Sequence, residues 1–166
     1  MTHIISKEFL AIDEIGRILR EGEKIELGAE AKEAIIKCRE YLDSKMEDIG
    51  MPVYGVTTGF GSLCNITIAQ DDLSKLQHNL VKSHACGIGA KLRPEIVRLM
   101  LLLKVQSLSY GHSGAQLETI QRLVDMYNYD ILPVVYEQGS LGASGDLAPL
   151  AHLCLPIIGM GRVLYK

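Results

Sequence analysis

The segment from Ile96 to Leu108 is apolar on almost every face of a helix, and it constrains the fold more than any other part of the chain. Arg93-Pro94-Glu95, directly before it, is typical of a helix start because proline is tolerated in the first turn. A helix that is apolar all round is buried only if other elements pack against all its sides. The segment therefore predicts a helix in the middle of a bundle.

Four further segments repeat their apolar residues with the period of a helix. They lie at residues 11–20, 29–47, from Asp71 or Asp72 to about Ala85, and 116–127. A last helix is expected to start near Asp146. Strand character is limited to candidates such as Lys24–Leu27. The 166 residues therefore predict one mainly α domain with at most one or two short strands.

Charge and composition narrow the classes of function. A net charge of −3 indicates no attraction to nucleic acid or to an anionic membrane. No apolar run is long enough to span a bilayer, and the N-terminus lacks the pattern of a signal peptide. Widely spaced cysteines without an export signal indicate reduced thiols in a cytoplasmic protein. His78, His84 and Cys86 match no zinc spacing, so we expect no metal.

The most informative chemistry lies at Ala143-Ser144-Gly145. If this loop bends sharply, the Gly145 amide nitrogen can attack the Ala143 carbonyl carbon and close a five-membered ring. Loss of water, and then of the Ser144 hydroxyl as a second water, leaves a methylene conjugated to the ring carbonyl. This group is an electrophile that no side chain supplies. Glycine suits the attacking position because it lacks Cβ and tolerates strained dihedrals.

Ser144 also has two simpler interpretations. A hydrolase nucleophile requires Gly-x-Ser-x-Gly on a strand-to-helix turn, but Asp146 stands where the last glycine belongs. An isolated triplet of this kind is otherwise a loop that caps a helix. Asp146 fits such a structural role whatever the function, since its carboxylate can accept backbone amide hydrogens.

Three segments together resemble those of the aromatic amino acid ammonia-lyases. Besides the triplet, they are Tyr54-Gly-Val-Thr-Thr-Gly-Phe-Gly61 and Asn79-Leu-Val-Lys-Ser-His-Ala-Cys-Gly87. Their order and spacing fit that family from about residue 10 to the end of the chain. In the family the triplet cyclises by itself to 4-methylidene-imidazol-5-one (MIO). The resemblance thus implies that MIO forms here from Ala143, Ser144 and Gly145, with support from Asp146.

The resemblance also implies roles for the other two segments. Tyr54 would be the general base that removes the β-proton of the substrate, and Gly59 and Gly61 would let its loop close over the substrate. Ser83 and His84 would bind the substrate, with His84 hydrogen-bonded to its side chain. Helical spacing independently places His84 on the inward-facing stripe of its helix.

The Ser83-His84 pair is typical of histidine-specific members of the family, which convert L-histidine to trans-urocanate and ammonia in histidine catabolism. Thr57 is commoner in phenylalanine- and tyrosine-specific lyases and in aminomutases, so those activities remain alternatives. A non-catalytic helical fragment is a further alternative. Members of the family are much longer and form homotetramers, so we expect the chain to be the N-terminal third of such a protein, cut from the rest. Alone, it is predicted to be inactive.

Overall fold

A computed structural model describes residues 1–47 and 53–165 of the chain. Within these residues there are six α-helices and eight short strands. The helices are α1 (Ile12–Arg20), α2 (Ala29–Glu47), α3 (Leu73–His84), α4 (Pro94–Ser109), α5 (Leu117–Asn128) and α6 (Ala148–Cys154). The strands are β1 (Thr2–Ile5), β2 (Lys24–Leu27), β3 (Ile88–Lys91), β4 (Leu132–Pro133), β5 (Tyr136–Gln138), β6 (Leu141–Gly142), β7 (Gly145–Asp146) and β8 (Val163–Leu164). The mainly α class is confirmed.

The helices lie close to their predicted positions, because apolar periodicity is a local signal. On α3, His78 is exposed and His84 is half-buried, as the spacing predicted. Asp72 stands at the N-cap of α3, but its side chain makes no capping hydrogen bond. In the part of the chain that the structure describes, no helix is both long and apolar enough to cross a membrane.

The strands are more numerous than the one or two predicted. The described residues contain four two-stranded sheets, in which β1 pairs with β2, β3 with β5, β4 with β8, and β6 with β7. Only β1 and β2 are parallel, and α1 connects them. Each strand is two to four residues long. Strands this short carry too few alternating residues to be recognised in a sequence, so only β2 was predicted.

The core is centred on α4 and α5. Leu101 and Val105 of α4 and Ile120 and Tyr127 of α5 are fully buried. Against this centre pack the inward-facing residues of the neighbouring elements, namely Ile5, Ile18, Ile25, Leu27 and Ile35. The all-round burial predicted for α4 is incomplete, because the side chain of Leu103 is exposed.

Polar side chains of α4 and α5 form hydrogen bonds that attach the N-terminal segment, which contains β1 and β2, to this core. The Asn128 side chain accepts a hydrogen bond from the Ile25 amide and donates one to the Ile25 carbonyl, both at 2.8 Å. Gln106 and Ser109 of α4 both donate to the Ser6 carbonyl at 3.1 Å. Such bonds satisfy backbone groups that would otherwise be buried without a partner, at a cost of about 1–3 kcal/mol each.

Candidate active site

A cleft of about 640 Å³ brings together the three segments singled out in the sequence. Tyr54, His84 and Ser144 all line this large cleft, and its apolar wall includes Leu147 and Leu150. A small cleft of about 290 Å³ shares His84, Ser144 and Leu147 with it. The other residues of the triplet and Ser83 line the small cleft. The two clefts therefore meet at the turn that carries Ser144.

The triplet forms the tip of the β6–β7 hairpin. Gly142 pairs with Gly145 across the hairpin, and Ala143 and Ser144 form the exposed turn between them. Gly145 has φ +82°, in the left-handed region that glycine adopts without strain. A Cβ at Gly145 would meet no atom within 4 Å, so the requirement for glycine is conformational and not one of space. The chain therefore bends sharply at the triplet.

Asp146 supports this turn from behind. Its Oδ1 accepts hydrogen bonds from the Ser140 amide at 3.1 Å and from the Ala148 amide, the first residue of α6, at 3.2 Å. A Cβ at Gly139 would collide with the same carboxylate, which lies directly against the Gly139 backbone. The carboxylate thus connects both ends of the hairpin to the start of α6.

Tyr54 reaches the large cleft from a compact loop. The Gly61 amide donates to the Tyr54 hydroxyl oxygen at 3.3 Å, and the Phe60 ring packs edge-on against the tyrosine ring at 6.0 Å. Because the hydroxyl oxygen accepts the amide hydrogen, its own proton is free to point elsewhere. Gly61 has φ +56°, which explains the need for glycine at this bend.

Two further residues of this loop face away from the cleft. The Thr57 hydroxyl accepts a hydrogen bond from the Val53 amide at 2.9 Å, and the side chain is buried. A Cβ at Gly59 would lie 2.7 Å from Cβ of Leu63, so Gly59 is required for close packing. Both residues hold the shape of the loop, and neither lines either cleft.

His84 is oriented by the last turn of α3. Its Nδ1 lies 2.8 Å from the Leu80 carbonyl oxygen and 3.1 Å from the Ser83 hydroxyl, which itself donates to the Leu80 carbonyl. A carbonyl oxygen only accepts, so Nδ1 carries the proton in this arrangement. In the neutral ring the other nitrogen, Nε2, is then an acceptor.

Lys104 and Cys154 also line the large cleft. Burial raises the pKa of the Cys154 thiol, and the positive charge of Lys104 offsets part of this rise. The thiol therefore stays protonated at neutral pH and is not a candidate nucleophile. Among residues 1–47 and 53–165, no three His, Cys, Asp or Glu side chains group to form a metal site.

The predicted site residues thus divide by position. Tyr54, Gly61, His84 and Ser144 line the large cleft, and Ser83, Ala143 and Gly145 line the small one. Gly59 and Asp146 lie behind these surfaces and shape the loops that form them. These positions are drawn from three segments that lie far apart in the sequence.

Comparison with known proteins matches the chain to one family over nearly its whole length. The family profile described as aromatic amino acid lyase covers residues 10–166. The chain belongs to the aromatic amino acid lyase family. It is 45% identical over 163 residues to the histidine ammonia-lyase of Clostridium tetani, which covers 98% of this chain and 32% of that protein. It thus spans about a third of the length of the curated relatives it matches.

Solved structures of the family agree with the fold. The crystal structure of histidine ammonia-lyase from Trypanosoma cruzi superposes with a TM-score of 0.87 at 37% identity, covering 99% of this chain and 32% of that one. Tyrosine aminomutase from Streptomyces globisporus superposes with a TM-score of 0.91 at 32% identity, covering 100% of this chain and 31% of that one. The family acts on amino acids, and its members differ in the reaction that they catalyse.

The sequence analysis did not single out His152. Its Nε2 accepts a hydrogen bond from the Gly87 amide at 3.0 Å, across 65 residues of sequence. The helical spacing of His152 with the buried Ala148 and Ala151 could have indicated that it faces inward. Its partner could not have been found in this way, since no local pattern connects the two residues.

Proposed function

We propose that the chain is the N-terminal part of an MIO-dependent ammonia-lyase that converts L-histidine to trans-urocanate and ammonia. One observation carries this proposal: Tyr54, His84 and Ser144 line a single cleft, although 60 residues separate the last two in the sequence. The similarity to histidine ammonia-lyases along the whole chain supports the substrate.

The residues at the turn fit the MIO group. The triplet is complete, Gly145 has the positive φ of a tight bend, and open space surrounds it for a planar ring. The first residue of α6 directs its amide toward Asp146, so the positive end of the helix dipole lies behind the turn. When formed, MIO would supply an electrophile that activates the substrate. Ala143, Ser144 and Gly145 would be the residues converted.

Tyr54 would act on the β-carbon of the substrate. As the phenolate, its oxygen would take the β-proton, the electrons of the C–H bond would form the double bond between the α- and β-carbons, and the C–N bond would break so that the α-ammonium group leaves as ammonia. The hydrogen bond from the Gly61 amide holds this oxygen at the cleft. That donor also supplies partial positive charge beside an oxygen that must become negative.

His84 would recognise the imidazole ring of the substrate. With its proton on Nδ1, its Nε2 can accept a hydrogen bond from the substrate ring N–H. Ser83 holds the same carbonyl that orients His84, so it supports this contact. The leucines of the large cleft would pack against the substrate and exclude water.

The remaining active-site residues would come from the rest of a longer protein. Leu147 and Leu150, which line the large cleft, remain 40% and 41% exposed and would be covered there. We propose a homotetrameric, cytoplasmic enzyme of histidine catabolism, without metal and without a nucleic-acid or membrane partner. The 166-residue chain on its own is then expected to be inactive.

The test has two arms. Intact-mass measurement of the chain decides whether Ala143-Ser144-Gly145 loses two water molecules, with Ser144→Ala as the control that cannot cyclise. The full-length protein is then assayed with L-histidine, L-phenylalanine and L-tyrosine, and Tyr54→Phe is the control for the base. Turnover of phenylalanine or tyrosine in preference to histidine would contradict the substrate. An unchanged rate in Tyr54→Phe would contradict its role.

An MIO aminomutase is the second candidate. Thr57 favours it, as does the superposition with tyrosine aminomutase. However, the buried Thr57 hydroxyl holds the Val53 amide and does not line the cleft, so it has no direct contact with a substrate there. Product analysis separates the two reactions, because a β-amino acid forms only in the mutase.

A further inference from the structure

Three elements meet in a small cluster beside the clefts. Gly87 belongs to the loop after α3, Tyr136 to β5, and His152 to α6. The Tyr136 and His152 rings pack edge to face at 5.2 Å. A Cβ at Gly87 would lie 3.1 Å from the His152 ring and 3.3 Å from Cβ of Tyr136. The loop backbone therefore lies so close to the imidazole that a side chain at position 87 would crowd the ring.

The contacts of the His152 ring define its tautomer and its charge. Its Nε2 accepts the Gly87 amide hydrogen at 3.0 Å, so the ring proton must lie on Nδ1. The side chain is only 8% exposed, and this burial lowers its pKa, which keeps the ring neutral at neutral pH. In the neutral ring, Nε2 carries no proton and can accept the hydrogen of the Gly87 amide.

Gly87 and His152 belong to two different segments that each lead to the candidate site. Gly87 follows His84 by three residues, and the Cys86 amide donates to the His84 carbonyl at 2.9 Å. His152 lies on α6, whose first amide is held by Asp146 at the end of the hairpin that carries Ser144. The Gly87–His152 bond thus connects the segment that contains His84 to the helix that supports the triplet.

We infer that His152 is a positioning residue that holds the Ser83–Gly87 segment at the site by accepting the Gly87 amide. It lines neither cleft. Pairing of β3 with β5 brings the two regions near each other, but its first paired residue, Ile88, comes after the loop. The His152 contact therefore acts inside the loop, nearer to His84. Its link to substrate binding rests on the proposed function.

Two variants distinguish the contribution of the hydrogen bond from that of ring packing. His152→Gln keeps an acceptor near the position of Nε2, whereas His152→Phe keeps the ring against Tyr136 and removes the acceptor. His78→Gln is the matched control, because His78 is an exposed histidine on α3. In the 166-residue chain, hydrogen exchange of the Gly87 amide is expected to be roughly tenfold faster in His152→Phe and nearly unchanged in the other two variants.

The same variants are tested in the full-length protein by steady-state kinetics. We expect His152→Phe to raise KM for L-histidine roughly tenfold with little change in kcat, because the loop and not the chemistry is disturbed. His152→Gln is expected to restore KM. A fall in kcat alone, or failure of His152→Gln to restore KM while the chain stays folded, would overturn the inference.

A measurement on the unmodified chain tests the inference without relying on variants that could fail to fold. The ¹⁵N shifts of the His152 ring at neutral pH are expected to report a proton on Nδ1 and an unprotonated Nε2. A proton on Nε2 would refute the inference directly. Neither this measurement nor the exchange of Gly87 depends on turnover. If the full-length protein shows no lyase activity, the proposed function fails while these results still decide the role of His152.

Discussion

The α4–α5 core and the large cleft differ in how completely their side chains are covered. Leu101 and Tyr127 in the core are 0% exposed, whereas Tyr54 in the cleft is 62% exposed. Core contacts are made between long helices. The cleft is formed by a short hairpin, a glycine-rich loop and the last turn of α3.

This difference in burial indicates which residues contribute most to the stability of the fold. Full burial of a leucine stabilises a fold by about 1.5–3 kcal/mol, so the core accounts for most of the stability. The residues at the cleft bury less of their side-chain surface and therefore contribute less to stability. Substitutions in the two regions should therefore affect the free energy of unfolding to very different degrees.

The largest change in the free energy of unfolding is expected for a substitution in the core. Leu101→Ala removes a fully buried side chain and should lower the free energy of unfolding by about 2–5 kcal/mol. Leu150→Ala, in the cleft wall, removes a side chain that is 41% exposed and should cost much less. Chemical denaturation of both variants measures the difference. Equal losses would show that the two regions do not differ as described.

The second-largest change in the free energy of unfolding is expected at the β6–β7 hairpin, where two paired glycines can be compared. Gly145→Ala forces a Cβ onto a residue with φ +82° and should cost about 1–2 kcal/mol. Gly142→Ala, its partner across the hairpin, has equal space around its Cβ and no positive φ. It should be neutral or slightly stabilising. Thermal unfolding of the two variants tests this, and a similar loss in both would reject the conformational explanation.

A smaller effect should appear with pH. Because burial lowers the pKa of His152, the unfolded chain binds a proton more readily than the folded one. Stability from this residue is therefore present above its ordinary pKa of about 6.5 and is lost as the pH falls below it. Denaturation at pH 7.5 and 5.5 should show a smaller loss in His152→Gln than in the original chain. An equal loss in both would contradict this assignment.

The smallest effect on stability is expected at the triplet. Ser144 is exposed at the tip of the turn, so Ser144→Ala should change the free energy of unfolding by less than about 0.5 kcal/mol. The same substitution should abolish the loss of two water molecules in the intact mass. A large destabilisation would mean that the serine has a structural role as well.

Helices could be predicted because their signal lies within a few neighbouring residues. The all-apolar pattern of α4 indicated its central position, although the exposed Leu103 shows that a face was left open. Apart from β2, the short strands could not be predicted, since elements such as β6 and β7 contain only two residues each. Asp146 was expected at the start of a helix, and its carboxylate accepts the first amide of α6.

The sequence by itself determined the helices and the Ala143-Ser144-Gly145 triplet, since both depend on residues adjacent in the chain. Only the tertiary structure decided that Tyr54, His84 and Ser144 share a cleft. It also decided that His152 holds Gly87, and that Gly59 is needed for packing and Gly145 for a positive φ. These features depend on distances between segments far apart in the chain, which become defined only when the core has packed.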